Sequence, residues 1–420
     1  MVNRDLILLW NRFKISRKQF LNNLEKENHS VSFESFYLDL VELGNSLTAF
    51  NELSLDSVSN MIFNEFRLMV KSFIFEIENR CLDEIFKVIY SHVFHLHING
   101  KSFDGVVFNL KNMFLGGNYL LSDKNYTIVK ELFSFLENPC NLKKENFKKF
   151  EEEKNKGYFL LSTELLIDFK KQLKHYITTS VAQISECRNE LEKLQIDPII
   201  YINNWIDINS NISCPKVFVD PGYFSRIVQE AGYLFSTYSG EVVDLLILNR
   251  SSLDNNPISV EQLNLMLVHE VFPGHMQQMT QQNHEIIRTF SEFQLVKLYL
   301  EGQAVYSEYK YAETNEGAKK IFNTHLIRRC LCSILTIDRI TDEKFDESIE
   351  YINNVLLNLR TEQEVYNTIK KGLCINYNSL LYTFGFHLFM SSPISNESKF
   401  INEFSKLKFI ADNISRFKMR

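Results

Sequence analysis

Proline and glycine are scarce in this chain, 7 and 14 among 420 residues. Between residues 1 and 195 the one proline is Pro139, and little there interrupts a helix. No stretch approaches 18 uninterrupted apolar residues, so no membrane span is expected. The opening "MVNRDLILLWNRFKISRKQF" has only a short apolar run, bracketed by Arg4-Asp5 and by Arg12 and Lys14. It lacks the apolar core and small-residue cleavage site of a secretory signal. A basic stripe is also missing, and the net charge is −6, which argues against nucleic acid as a partner. The 7 cysteines are odd in number and scattered, which fits reduced thiols in a cytoplasm better than a disulfide framework. No fixed-period repeat is present, so a solenoid is not expected. With 45% hydrophobic and 23% charged residues, global disorder is excluded as well.

What is there is mostly helical patterning. The segment "SVSNMIFNEFRLMVKSFIFEIENRCLDEIFKVI" repeats apolar residues at three- and four-residue steps, the mark of helices with one buried face. The run "KKENFKKFEEEKNKG" (143–157) reads as a solvated helix face ending at Gly157. Five of the prolines, at 198, 215, 221, 257 and 273, fall in one quarter of the chain, and there the character changes. "PKVFVDPGYF" and "GEVVDLLILN" are short, rich in β-branched residues and bounded by turn formers, so a small sheet is expected. Ser259-Val260-Glu261-Gln262 is a capping box that starts a helix through "QLNLMLVHEVF". Helical patterning resumes from 285. The expected fold class is therefore mainly α, with an N-terminal helical lobe at 1–195 and a second lobe at 196–420, the two read as one continuous structural unit.

The helix after the capping box ends in "HEVFPGHMQQ" (269–278). In HExxH zinc sites, two histidines four apart differ by only about 40° around the helix. His269 and His275 are six apart, and a straight helix would set them about 240° apart. Pro273 clashes with the carbonyl four residues back, which is that of His269, and Gly274 permits backbone angles closed to other residues. The helix is thus expected to break after Glu270 and to swing His275 back toward His269. A third ligand is expected downstream in "LVKLYLEGQAVYSEYKYAE", where Glu301 sits among Leu295, Leu298 and Leu300. Gly302 follows it, and a glycine inside a helix, costing about 1 kcal/mol relative to alanine, suits close approach of a neighbouring backbone. His269, His275 and Glu301 are then the metal ligands and Glu270 the general base, the set a zinc hydrolase with one open position requires.

These residues carry a resemblance. "HEVFPGHMQQ" resembles the HExxPGHxxQ signature of the bacterial family called domain of unknown function 885. "LEGQAVYSEY" is similar to its EGWAxYxE segment with Gln303 in place of tryptophan, and "YTFG" (382–385) is similar to its YxxG element. That family looks like a branch of the gluzincin metallopeptidases, whose relatives include carboxypeptidase Taq, thimet oligopeptidase and angiotensin-converting enzyme. The resemblance implies a large helical fold with a central cleft, a small β element before the HExxPGH helix, and one Zn²⁺ per chain. Two elements differ. The family's Asp-x-Gly-x-His segment survives only as Asp338 in "TIDRIT", and the arginine beyond YxxG is missing from "FHLFMSS".

The expected activity is zinc-dependent hydrolysis of an amide or peptide bond in a peptide or small peptide-like metabolite. By resemblance Tyr382 donates to the oxyanion, with Tyr377 and His387 as neighbouring candidates for substrate contact. Gln278, three residues after His275, is expected either to orient it by a hydrogen bond or to serve as a polar cap on the broken helix. Cys330 and Cys332, beside Arg328-Arg329, have no histidine placed to activate them and read as helix-face residues. The alternative is a chain that retains zinc but binds a peptide or protein without turnover. A base beside the ligand speaks against it. The substrate and the oligomeric state are not legible.

Overall fold

The computed structural model describes residues 2–26, 33–50, 55–80, 82–115, 161–187, 191, 193–209, 215–220, 231–236, 243–250, 259–280, 285–341, 345–391, 406–408, 410–412 and 414. The Lys/Glu run at 143–157 and the turn at 251–257 lie outside them. As expected, the fold is mainly helical, and among the described residues no helix is long and apolar enough to cross a membrane. The chain divides into two compact units, Met1–Phe159 and Leu160–Arg420.

The first unit contains α1 (Arg4–Glu25), α2 (Glu34–Thr48), α3 (Ser57–Glu78), α4 (Asp83–Ile98) and α5 (Asp104–Leu115). The side chain of Asn3 accepts the backbone N–H groups of Asp5 and Leu6, which starts α1. Its buried stripe of Leu6, Trp10, Phe13, Phe20 and Leu24 recurs at three, four and seven residues, as one packed face requires. Trp10, Phe13 and Phe66 form the aromatic centre, with rings 5.2 to 5.7 Å apart. The start of α4 has no cap of its own; buried Glu76 on α3 accepts from the amides of Glu84 and Ile85 instead.

The second unit opens with α6 (Thr163–Glu186) and α7 (Pro198–Asn209), followed by strands β1 (Lys216–Asp220), β2 (Ala231–Ser236) and β3 (Val243–Asn249). Then come α8 (Val260–Glu270), α9 (His275–Thr280), α10 (Glu285–Thr289), α11 (Gln294–Thr314) and α12 (Glu316–Thr341). The last are α13 (Phe345–Asn358), α14 (Gln363–Lys371) and α15 (Tyr377–Ser391). A boundary at 195 would give α6 to the N-terminal lobe, but its stripe of Leu166, Phe169, Leu173, Ile177 and Ile184 packs along α12. Lys170 pairs with fully buried Asp338 there, and the Phe169 ring meets Phe384 edge-on at 4.9 Å. The Asp338 of "TIDRIT" thus holds a lysine in the helix core.

The small sheet has the order β1-β3-β2, with β1 parallel and β2 antiparallel to β3. In register, Lys216 faces Leu245 and Ala231 faces Leu248. The two expected runs are β1 and β3; β2, from "AGYLFS", was not anticipated, because its small residues and glycine weaken the strand pattern. Leu246, Ile247 and Leu248 are buried in succession, as a central strand demands. On α8, Leu263 and Leu267 pack against Leu246 and Leu248, with Val271 continuing the stripe. Residue 269 lies about 200° round the helix from 267, so the same packing turns His269 away from the sheet and toward α11.

Candidate metal centre

The site begins with the cap. The Ser259 hydroxyl accepts the backbone N–H of Gln262 at 3.1 Å, and α8 runs from there to Glu270. Helix pairing stops at Val271 and Phe272, whose amides both return to the Leu267 carbonyl. Four residues turn the chain before α9 starts at His275. A side chain at Gly274 would set its Cβ 1.7 Å from the His269 carbonyl oxygen, so only glycine lets the backbone double back this tightly. The two imidazoles come together, with centroids 4.8 Å apart and planes at 85°.

Both rings are anchored through Nδ1. His269 Nδ1 lies 2.6 Å from Oε1 of Glu308, and His275 Nδ1 lies 2.8 Å from Oε1 of Gln278. The Gln278 amide nitrogen donates to the Leu300 carbonyl at 3.1 Å, which fixes its oxygen as the acceptor toward His275. Each imidazole therefore carries a proton on Nδ1 and turns Nε2, the nitrogen left to bind a metal, toward Glu301. Those Nε2 atoms lie 3.5 Å (His269) and 3.4 Å (His275) from Oε2 of Glu301. Among the described residues, these three form the group able to hold a metal ion, with ligand atoms within 4.8 Å of one another. Oε2 of Glu301 is buried and accepts no hydrogen bond. Three potential ligand atoms converging on one point, one of them a buried carboxylate oxygen without a hydrogen bond, form an arrangement that a cation satisfies.

Electrostatics say the same. Burial disfavours charge on both histidines, yet Glu301, Glu308 and Glu270 more than offset it at His269 and raise its pKa to about 10; Glu301 and Glu270 raise that of His275. Burial pushes Glu301 up, but the two histidines outweigh it and hold the carboxyl well below the usual range. The centre is thus poised to take positive charge, as protons or as a metal. Glu270 follows His269 directly, and its charge reaches His269, His275 and Tyr382.

Tyr382 on α15 comes from far along the chain. Its ring lies 6.0 Å from that of His269, and burial first, then the charge of Glu301, push the phenol pKa well up. It remains protonated, a donor at any physiological pH. Tyr377 stands half-buried at the first position of α15. His387 is placed elsewhere: five residues on, about 140° around the helix, its Nδ1 shares a 2.9 Å hydrogen bond with the Tyr176 hydroxyl. Its ring packs on Phe169 of α6, so this residue does not join the cluster.

The crossing of α11 and α15 brings Tyr382 to Glu301. A Cβ on Gly302 would lie 2.5 Å from the Gly385 carbonyl carbon, and one on Gly385 would lie 2.3 Å from the Leu298 oxygen. The two backbones touch because neither helix has a side chain at that point. Gly302→Ala is expected to push the helices apart and destabilise the unit by about 1–3 kcal/mol, several degrees in Tm. An unchanged melting curve would show that the contact is not tight.

Two residues of this cluster were missed in the sequence. Glu308 lies two turns beyond Glu301 on the same face of α11, and this seven-residue spacing of glutamates was the available signal. Arg329 of α12 binds Glu308 through a fork, Nη1 to Oε2 at 3.3 Å and Nη2 to Oε1 at 3.1 Å. Nothing local marks it, since its partner is on another helix.

No protein-family model matches the chain, and no curated protein matches it. Among solved structures it is similar to a candidate lipoprotein of unknown function from Shewanella oneidensis, with 12% identity and a TM-score of 0.52. That likeness covers 98% of this chain and 99% of the other. A candidate lipoprotein from Colwellia psychrerythraea is similar at 12% identity and a TM-score of 0.48, over 94% of this chain and 93% of that one. The first likeness shows a shared fold along nearly the full length, and at this identity it shows the fold alone. These findings correct the expected membership of the domain of unknown function 885 family and its kinship with gluzincin metallopeptidases. The resemblance rested on three short segments. Such segments are set by local needs, a ligand spacing and a helix crossing, and local chemistry recurs on unrelated chains.

Proposed function

We propose that this protein is a zinc-dependent hydrolase that cleaves an amide bond in a peptide or a small peptide-like metabolite. The observation that supports it most is the buried Oε2 of Glu301, without a hydrogen bond and faced by two Nε2 atoms whose rings are anchored from behind. His269, His275 and Glu301 would hold the ion, and a bound zinc supplies Lewis acidity to a scissile carbonyl and to water. Glu270 accepts a proton from the attacking water at its carboxylate and passes it to the leaving nitrogen. The Tyr382 hydroxyl donates to the developing oxyanion. Glu308 and Gln278 keep the imidazole lone pairs aimed inward.

A cleft that admits the substrate belongs to this proposal, as does a cytoplasmic location, with which the free thiols of Cys187, Cys330, Cys332 and Cys374 agree. Purified protein is expected to carry about one zinc per chain and to hydrolyse members of a mixed peptide library, with loss of turnover on chelation. Elemental analysis that finds no transition metal, with none taken up on titration, would end this reading. Zinc without turnover would favour a peptide-binding module instead.

A further inference from the structure

We propose that Arg329 is a positioning residue that holds the metal ligand His269 and the hydroxyl donor Tyr382 in one frame; this rests on the metal-site reading above. One guanidinium joins four elements. Its edge forks onto both oxygens of Glu308 on α11, at 3.1 and 3.3 Å. The Glu308 oxygen it meets at 3.1 Å is the one that lies 2.6 Å from His269 Nδ1 on α8. Its Cζ lies over the Tyr382 ring on α15, 5.1 Å from the centroid. The side chains of Arg329 and Glu308 are only 16% and 3% exposed, so neither contact is exchanged for water at little cost.

The planar guanidinium is the one basic side chain that suits both contacts at once. Its in-plane donors match a carboxylate, and its flat face stacks on an aromatic ring. A lysine ammonium can neutralise Glu308 but offers neither the fork nor the stacking surface. The donors that face Glu308 are committed, so Arg329 acts on the site through its neighbours rather than by touching substrate. Two groups whose separation sets the geometry of attack, a ligand on α8 and a hydroxyl on α15, are thereby referred to the same rigid plane on α12.

The test uses the full chain, stripped of metal and titrated with Co²⁺, whose visible spectrum reports ligand geometry. Arg329→Lys keeps the charge beside Glu308, so Co²⁺ affinity and spectrum are expected to match the wild type. Its kcat should fall by roughly 10- to 100-fold with KM unchanged, because small misplacements of a reacting group are this costly. In a Tyr382→Phe background the same change should have no further effect on kcat, since the group it positions is gone. Arg329→Met removes the partner of Glu308 and should weaken Co²⁺ binding by about 10- to 100-fold. The Co²⁺ measurements need no substrate, and Arg329→Lys carries the test if Arg329→Met fails to fold by circular dichroism.

Arg329→Lys with wild-type kcat, or with an undiminished effect in the Tyr382→Phe background, overturns the link to Tyr382. Unaltered Co²⁺ binding in a folded Arg329→Met overturns the link to His269. A wild-type protein that binds no Co²⁺ overturns the metal-site reading itself, which separates the two failures.

Discussion

Glu270→Gln is expected to lower turnover by about 10²–10⁴-fold, the usual worth of a positioned general base, while leaving zinc content and folding unchanged. Three observations lead to this. Glu270 directly follows the candidate ligand His269, at the last position of α8 before the chain breaks. Its charge acts on both histidines and on Tyr382, which puts it close to the triad. It is also absent from the set of atoms that converge as ligands. Glutamine preserves the shape and removes the capacity to take a proton, so the loss should fall on kcat. The measurement is steady-state hydrolysis of a peptide found in the library screen, with zinc determined on the same sample. Activity near that of the wild type would remove Glu270 from the chemistry.

Glu301→Ala should have the opposite signature, with zinc itself lost. Removing this carboxylate leaves two imidazoles, and neither is a sufficient ligand set for a zinc site of this kind. It also removes the strongest negative partner of His275. Zinc should fall from about one per chain to near none after dialysis, with turnover lost in parallel and restored only by large excess metal. Secondary structure should persist, because the helices cross at Gly302 and Gly385 and not at the carboxylate. Full zinc retention in Glu301→Ala would mean that the ion, if bound, is held by other groups.

Much of the local structure could be read directly. The three- and four-residue spacing of Leu6, Trp10, Phe13, Phe20 and Leu24 is enough to specify a helix with one buried face. The Ser259 cap places the start of α8, and Pro273-Gly274 places its end. Each of these is decided within about one turn of chain, where sterics and a single hydrogen bond dominate. The strand β2 escaped for the complementary reason. Among the described residues its backbone pairs with β3 alone, and nothing in "AGYLFS" by itself distinguishes it from a loop.

The site divides along the same line. The residue types and their spacing in "HEVFPGH" and "LEG" determined the three candidate ligands and the adjacent carboxylate, because ligand chemistry restricts the side chains and the proline restricts the backbone. Which imidazole nitrogen faces inward was decided only by tertiary structure. That choice rests on Glu308, Gln278 and the Leu300 carbonyl, two of them on another helix. The place of Tyr382 beside His269, the commitment of His387 to Tyr176, and the bridging position of Arg329 are likewise products of packing. They depend on Gly302 and Gly385, 83 positions apart in the chain, crossing so closely that a Cβ added to either would clash with the other's backbone. A contact between distant segments has no local periodicity to announce it, since it becomes favourable only once the burial of whole helix faces has brought the segments together.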